Sequence, residues 1–289
     1  MRLGFQTGVC SPHLGALTVD KSWLSGLTGG DLPHGCPMHW AEIARCCCAG
    51  PFEPVWLTPA KEARIDCPVF ENRFDLRCYV VTGAGSVDEV VHTASAAARG
   101  GAGVVQVRSK PISPEAMREL ASKVALEVAR CSPTTRVLID DHLHVASSLM
   151  REGLPIHGVH LGQDDMSVLE ARELLGPEAI IGLTTGTLEL VAAANELSDV
   201  LDYIGAGPFR KTPTKDSGRP PIGLAGYPPL VELSKVPIVA IGDVTPADVR
   251  ALSATGVAGV AMVRAFSESD DPQQVAENVV ANFELGRLS

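Results

Sequence analysis

From Arg73 onward, short β-branched runs alternate with amphipathic stretches eight times. The runs "LRCYVVT", "GVVQVRS", "RVLID", "GVHLG", "IIGLT", "DYIGAG", "PIVAIG" and "GVAMVRA" are nearly continuous in apolar residues, as strands buried on both faces are. The stretches between them carry helical spacing, among them "SVDEVVHTASAAARGG", "SPEAMRELASKVALEVARC", "SVLEARELLG", "LELVAAANEL" and "TPADVRALSATG", and "DPQQVAENVVANFEL" follows the last strand. Ser113-Pro114-Glu115 and Thr245-Pro246 place a capping side chain before a proline at the first helical position, and Gly100 and Gly256 suit helix ends. Eight strand–helix units in about 215 residues predict an α/β chain folded as a (β/α)8 TIM barrel. An open doubly wound sheet is the rival, weakened in its dinucleotide-binding form because no G-x-G-x-x-G follows the first strand.

Residues 1–72 break this rhythm. They hold all three tryptophans and six of the eight cysteines, with scattered Gly and Pro and no sustained period. The expected organisation is a Cys-rich, irregular, poorly ordered or loosely packed extension over 1–72 and a barrel over 73–289. "RCCCAG" beside His34 and His39 lacks the paired Cys-x2-Cys spacing of zinc sites, so a metal centre is not expected there. Cys78 and Cys131 read as small buried hydrophobes.

A formal net charge of -10 argues against a general nucleic-acid binder, so an anionic ligand has to be met by a local cluster of cations. No apolar run approaches the ~20 residues that cross a bilayer, and the first residues contain no continuous apolar segment of a secretory signal. The expectation is a soluble cytoplasmic protein without disulfides. Its oligomeric state is open, a homo-oligomer included.

In such a barrel, chemistry belongs at the carboxyl ends of the strands. Gln106, Arg108 and Lys110 stand at i, i+2 and i+4 after the second strand and point one way; facing inward they would form a polar, cationic ladder at the mouth, and a solvated strand end is the plainer alternative. Asp140 and Asp141 end the third strand; His160, Gln163, Asp164 and Asp165 are placed on the loop after the fourth. One Asp in each pair could instead cap the following helix. Carboxylates from adjacent strand ends, beside cations, suit Mg²⁺, which takes one or two carboxylates and completes its shell with water and phosphate oxygens. Thr184, Thr185 and Thr187 offer hydroxyls after the fifth strand. Gly242 and Arg264, after the seventh and eighth, sit where barrels commonly bind a phosphate, with Asp243 expected to meet Arg264 or a substrate hydroxyl. No Ser/His/Asp grouping or activated Cys is apparent, which leaves electrostatic stabilisation of a departing anion.

The blocks "CYVVTG", "GGAGVVQVRSK", "DDHLHVA", "GVHLGQDDM", "IIGLTTGT", "DYIGAGPFRKTPTK", "PIVAIGDV" and "GVAMVRA", in this order, resemble the thiamine phosphate synthase family from about Asp75 to the carboxyl terminus. The resemblance implies a transferase of thiamine biosynthesis. It would join hydroxymethylpyrimidine pyrophosphate to a thiazole phosphate by a Mg²⁺-assisted dissociative mechanism, giving thiamine phosphate and pyrophosphate. It assigns Gln106, Arg108 and Lys110 to the pyrimidine pyrophosphate and Asp141 and Asp165 to Mg²⁺. Thr184, in place of a family serine, and Lys215 go to the pyrophosphate; Thr212, Thr214, Gly242, Val263 and Arg264 go to the thiazole phosphate. The Gly/Pro stretch after Lys215 is expected to act as a flexible cover, with Arg210 and Lys211 left to steer anions.

This chain departs from the family at three substrate positions. Asp140 replaces an Asn facing the pyrimidine ring, Gly186 replaces a His, and Asp243 stands in "GDV" where Gly-Gly-Ile is usual. A thiazole tautomerase-like isomerase and a non-catalytic barrel binding phosphorylated ligands are the alternatives. The first generally lacks the cations and carboxylates kept here.

Overall fold

The structure, a computed structural model, describes residues 74–211 and 218–288. The extension over 1–72 and Thr212, Thr214 and Lys215 lie outside the described residues.

Eight parallel strands close into a barrel in sequence order: β1 Cys78–Val81, β2 Val104–Val107, β3 Arg136–Asp140, β4 Gly158–Leu161, β5 Ile180–Thr185, β6 Tyr203–Ala206, β7 Ile238–Ala240 and β8 Gly259–Met262. The helices are α1 Val87–Arg99, α2 Pro114–Cys131, α3 Leu143–Arg151, α4 Val168–Leu175, α5 Leu188–Asn195, α6 Gly223–Leu233, α7 Val249–Ser253, α8 Arg264–Ser267 and α9 Pro272–Arg287. None of the described helices is long and apolar enough to cross a membrane. The eightfold alternation read from the sequence is therefore a TIM barrel.

Two layers of core explain the unbroken apolar runs. Alternate strand residues, Tyr79, Val104, Leu138, Ile180, Tyr203, Val239 and Ala261 among them, fill the bore. The others, such as Val80, Val105, Ile139 and Ile181, pack outward against the helices. With both faces covered, each strand is apolar at nearly every position.

Local signals set most helix starts. Ser86 caps α1 in a reciprocal box with Glu89, and Ser113 accepts from Ala116 N–H ahead of Pro114. Gly100 ends α1, but the left-handed residue there is Gly101, one position on. α6 is the element that the pattern obscured. Pro228 and Pro229 lie inside it, where two backbone donors are missing and the preceding residues resist helical geometry. Burial of Tyr227 and Leu230, and a bond from the Tyr227 hydroxyl to Ala206 O at 3.0 Å, hold it helical against local propensity. Part of the segment read as a loose cover is thus helix α6.

The amino-terminal end of the barrel is tied by Arg172 of α4. Its guanidinium donates to the carbonyls of Gly176, Pro177, Ala179 and Val200 and to the Asp202 carboxylate at 2.8 Å. Asp202 Oδ2 in turn accepts from Ile181 N–H at the start of β5. Arg172→Ala orphans these acceptors. It is expected to lower unfolding free energy by about 3 kcal/mol, read as a lower urea midpoint at unchanged slope.

Candidate active site

Register decides which side chains meet at the carboxyl ends. β2 pairs with β3 so that Val107 sits opposite Ile139, and β3 pairs with β4 so that Asp140 sits opposite His160. The next residue of β2, Arg108, therefore lies beside Asp140. Its Nε is 3.4 Å from Asp140 Oδ2, and Lys110 Nζ is 3.5 Å from the same oxygen. Lys110 also pairs with Asp141. Gln106, buried, faces the same space from within β2. The ladder of Gln106, Arg108 and Lys110 is inward-facing at its first two rungs and half-exposed at its third. Thr82, just past β1, fixes the middle rung: its hydroxyl accepts from Arg108 N–H and donates to Arg108 O, each at 2.8 Å.

Neither acidic pair caps a helix. The N-cap of α3 is His142, with no side-chain cap bond, and α4 is capped by Ser167 in a box with Glu170. Asp141 instead adopts a left-handed backbone (φ 59), a conformation that costs a non-glycine residue ~1–2 kcal/mol. Asp243 is the other such residue among those described (φ 57), and it too ends a strand region at the mouth. Asp165 Oδ2 accepts from Gly162 N–H at 2.7 Å.

The electrostatics follow from this crowding. Burial pushes the Asp140 carboxyl up to about 6, the neighbouring Asp141 adds to the rise, and Lys110 and Arg108 oppose it. Asp140 Oδ2 is buried without a hydrogen bond of ordinary geometry, and Arg108 and Lys110 stand within ion-pairing distance of it. Partial burial raises Asp165, and a hydrogen bond to Asp141 raises it further. Burial lowers Lys110, but its contacts with Asp141 and Asp140 outweigh that and leave it raised.

The mouth encloses a cavity of about 150 Å³ lined by Gln106, Arg108, Asp140, Thr184, Gly242 and Arg264, with Val263 and Asp243 beside them. Of the three hydroxyls at and just past the end of β5, only Thr184 lines it. Thr185 is buried and bonded to Gly205 O, and Thr187 caps α5. Arg264, at the start of α8, pairs with Asp243, the first of the two partners foreseen for that acid. Gly242 has φ 103, and a Cβ there would fall 2.5 Å from Pro208 Cα. The backbone of the β7 loop can pass this close only without a side chain.

Three expectations need correction. His160 is not a loop residue: it lies within β4, inside the run "GVHLG", and its ring nitrogens meet Tyr203 and Thr184. Arg210 is not a free anion guide. It donates to Asp248 Oδ2 at 2.6 Å and to Asp243 O, over the Phe209 ring. Cys131 is partly exposed, accepting from Arg99 at 3.2 Å, whereas Cys78 is buried as expected. Arg219 was overlooked; it lines the mouth and donates to Thr185 O at 2.6 Å. A lone arginine in a Gly/Pro stretch carries no periodic signal. Thr82, Tyr79 and Tyr203 were likewise indistinguishable from packing residues.

These features define a class: a (β/α)8 barrel whose strand ends gather cations, carboxylates and a hydroxyl around one cavity. The model of the thiamine monophosphate synthase family matches residues 78–266. The chain is 62% identical over 209 residues to the thiamine-phosphate synthase of Corynebacterium jeikeium, covering 72% of this chain and 95% of that one. It is 58% identical over 213 residues to that of Corynebacterium efficiens, covering 74% and 97%. Among solved structures, a thiamine phosphate pyrophosphorylase from Pyrococcus furiosus is 30% identical with a TM-score of 0.63, covering 75% of this chain and 98% of that one. The chain belongs to the thiamine monophosphate synthase family.

Gly242→Ala places a side chain at a positive φ against Pro208. It is expected to weaken binding of inorganic phosphate about tenfold, measured by calorimetry, with the circular dichroism of the barrel retained.

Proposed function

We propose that this protein is a thiamine phosphate synthase, a transferase acting on hydroxymethylpyrimidine pyrophosphate and a thiazole phosphate. The observation that carries the reading is the cluster of Arg108, Lys110, Asp140 and Asp141 on adjacent strand ends, of which Arg108 and Asp140 line the cavity together with Thr184. Cations alone would suit any anion. Cations interleaved with carboxylates suit a pyrophosphate that arrives with a metal ion.

The donor set fits Mg²⁺. Asp141 and Asp165 come within hydrogen-bonding reach of each other, which two ionised carboxylates avoid and which an intervening cation relieves. Among the described residues no cluster of three or more His, Cys, Asp or Glu is disposed to hold a metal, so the ion would rely on these two carboxylates, water and substrate oxygens. When bound, Mg²⁺ would neutralise negative charge that builds up on departing pyrophosphate.

The remaining chemistry falls to side chains of this chain. Arg108 and Lys110 bind the pyrophosphate and stabilise its charge as the C–O bond to the pyrimidine methylene breaks and the electron pair leaves with oxygen. Thr184 donates a hydrogen bond to the same group, to which the family resemblance also assigns Lys215. Gln106 and Asp140 orient the pyrimidine ring. With Asp140 pushed up to about 6 by burial, the proton that it shares with a ring nitrogen or amine is finely balanced, which an Asn at this position would not allow. Thr212, Thr214, Gly242 and the Val263–Arg264 turn hold the thiazole phosphate. The thiazole nitrogen then forms the new C–N bond with the pyrimidine cation. Apolar lining residues Val81, Val239 and Ile241 exclude water that would otherwise trap it.

Mixing both substrates with Mg²⁺ is expected to release pyrophosphate and form thiamine phosphate in equal amounts; no product from folded protein overturns the reading. Lys110→Ala is expected to reduce kcat about 100-fold, followed by pyrophosphate release.

A further inference from the structure

Beneath the mouth, four side chains form a hydrogen-bonded column through the bore. Tyr79 Oη lies 2.7 Å from Tyr203 Oη, Tyr203 Oη 2.8 Å from His160 Nδ1, and His160 Nε2 3.0 Å from Thr184 Oγ1. The column is built into the packing. A Cβ on Gly182 would lie 2.1 Å from Tyr203 Cζ, so the Tyr203 ring occupies the space of a missing side chain. Its centroid stands 5.7 Å from that of Tyr79 and 5.5 Å from that of His160.

Each link carries one hydrogen, so the ends decide the direction of the whole chain. Tyr79 is only 2% exposed, and Tyr203 is the one hydrogen-bond partner of its hydroxyl among the described residues. Asp140 acts on it electrostatically, yet Asp140 Oδ2 has no hydrogen-bond partner. If Tyr203 donated to Tyr79, the Tyr79 hydrogen would have no acceptor among the described residues, a loss of ~1–3 kcal/mol. If Tyr79 donates, only lone pairs go unused, which proteins tolerate more readily. Burial pushes both phenols far up, so both keep their protons. Tyr79 therefore donates to Tyr203, and Tyr203 to His160 Nδ1. The imidazole is left neutral, with its hydrogen on Nε2.

We propose that His160 is a positioning residue that fixes Thr184 as a hydrogen-bond donor toward the cavity. The His160 Nε2–H donates to Thr184 Oγ1, so the Thr184 hydrogen cannot turn back into the bore and points to the mouth. Gln163 Nε2 donates to Thr184 O at 2.6 Å and holds the backbone of the same residue. A hydroxyl presented this way recognises an anionic oxygen and opposes a ligand donor. That the anion is pyrophosphate rests on the synthase reading; the direction of the column does not.

The two parts are tested separately. In the full chain labelled with ¹⁵N-histidine, the His160 resonances, assigned by their loss in His160→Gln or by contact with the Tyr203 ring, are expected to show a protonated Nε2 and a bare Nδ1. A proton on Nδ1, or on both nitrogens, overturns the proposal without reference to activity. In turnover, Tyr203→Phe is expected to slow pyrophosphate release about tenfold with Thr184 present and less than about twofold in Thr184→Ala. Equal losses in both backgrounds overturn the link to Thr184. Wild-type protein that releases no pyrophosphate sinks the synthase reading while the ¹⁵N result still decides the column.

Discussion

A carboxylate buried at the end of β3 can exist only beside cations. Asp140 Oδ2 has no hydrogen bond of ordinary geometry and lies within ion-pairing distance of Arg108 and Lys110, while Asp141 next to it is held in a left-handed backbone. An unpaired charge in such a place would be far costlier than the pair. The arrangement demands that β2 and β3 be neighbours in parallel, in the one register that brings Arg108 level with Asp140. The closed barrel supplies that register and continues around the mouth, bringing His160 of β4 and Thr184 of β5 to the same cavity.

The bore therefore works at two levels. Near the mouth it is polar and mixed in charge, suited to substrate anions with their metal. Below lie Tyr79 and Tyr203, apolar in bulk but joined by hydroxyls that reach upward through His160. On the far side of the mouth, Asp243 occupies Arg264, and Asp248 occupies Arg210. At the end where the pyrophosphate is proposed to sit, Arg108 and Lys110 are likewise interleaved with Asp140 and Asp141, in a chain whose net charge is -10.

The barrel was legible in the sequence because strands covered on both faces are apolar throughout, and because capping residues such as Ser113 and Pro114 announce helices locally. The cationic ladder was legible from its period of two. What local patterns could not show came from contacts distant in sequence. α6 is held through two prolines by the Tyr227 bond to β6. The anchoring of Arg108 depends on Thr82, 26 residues earlier. His160 lies inside rather than on a loop because the β4–β5 register sets Gly182 opposite it. Arg210 is taken up by an acid 38 residues away. The acids of "DDH" and "QDD" were ambiguous between capping and chemistry until His142 and Ser167 were seen to occupy the cap positions.

At the centre of the account is the claim that carboxylates and cations at the mouth form one pyrophosphate–metal site. Calorimetric binding of inorganic pyrophosphate, with and without Mg²⁺, tests it most directly. The account predicts at least about tenfold tighter binding with Mg²⁺, a gain that disappears when Asp141 and Asp165 are both changed to Ala. Equal affinity with and without the metal, or a gain that survives the double substitution, would contradict it.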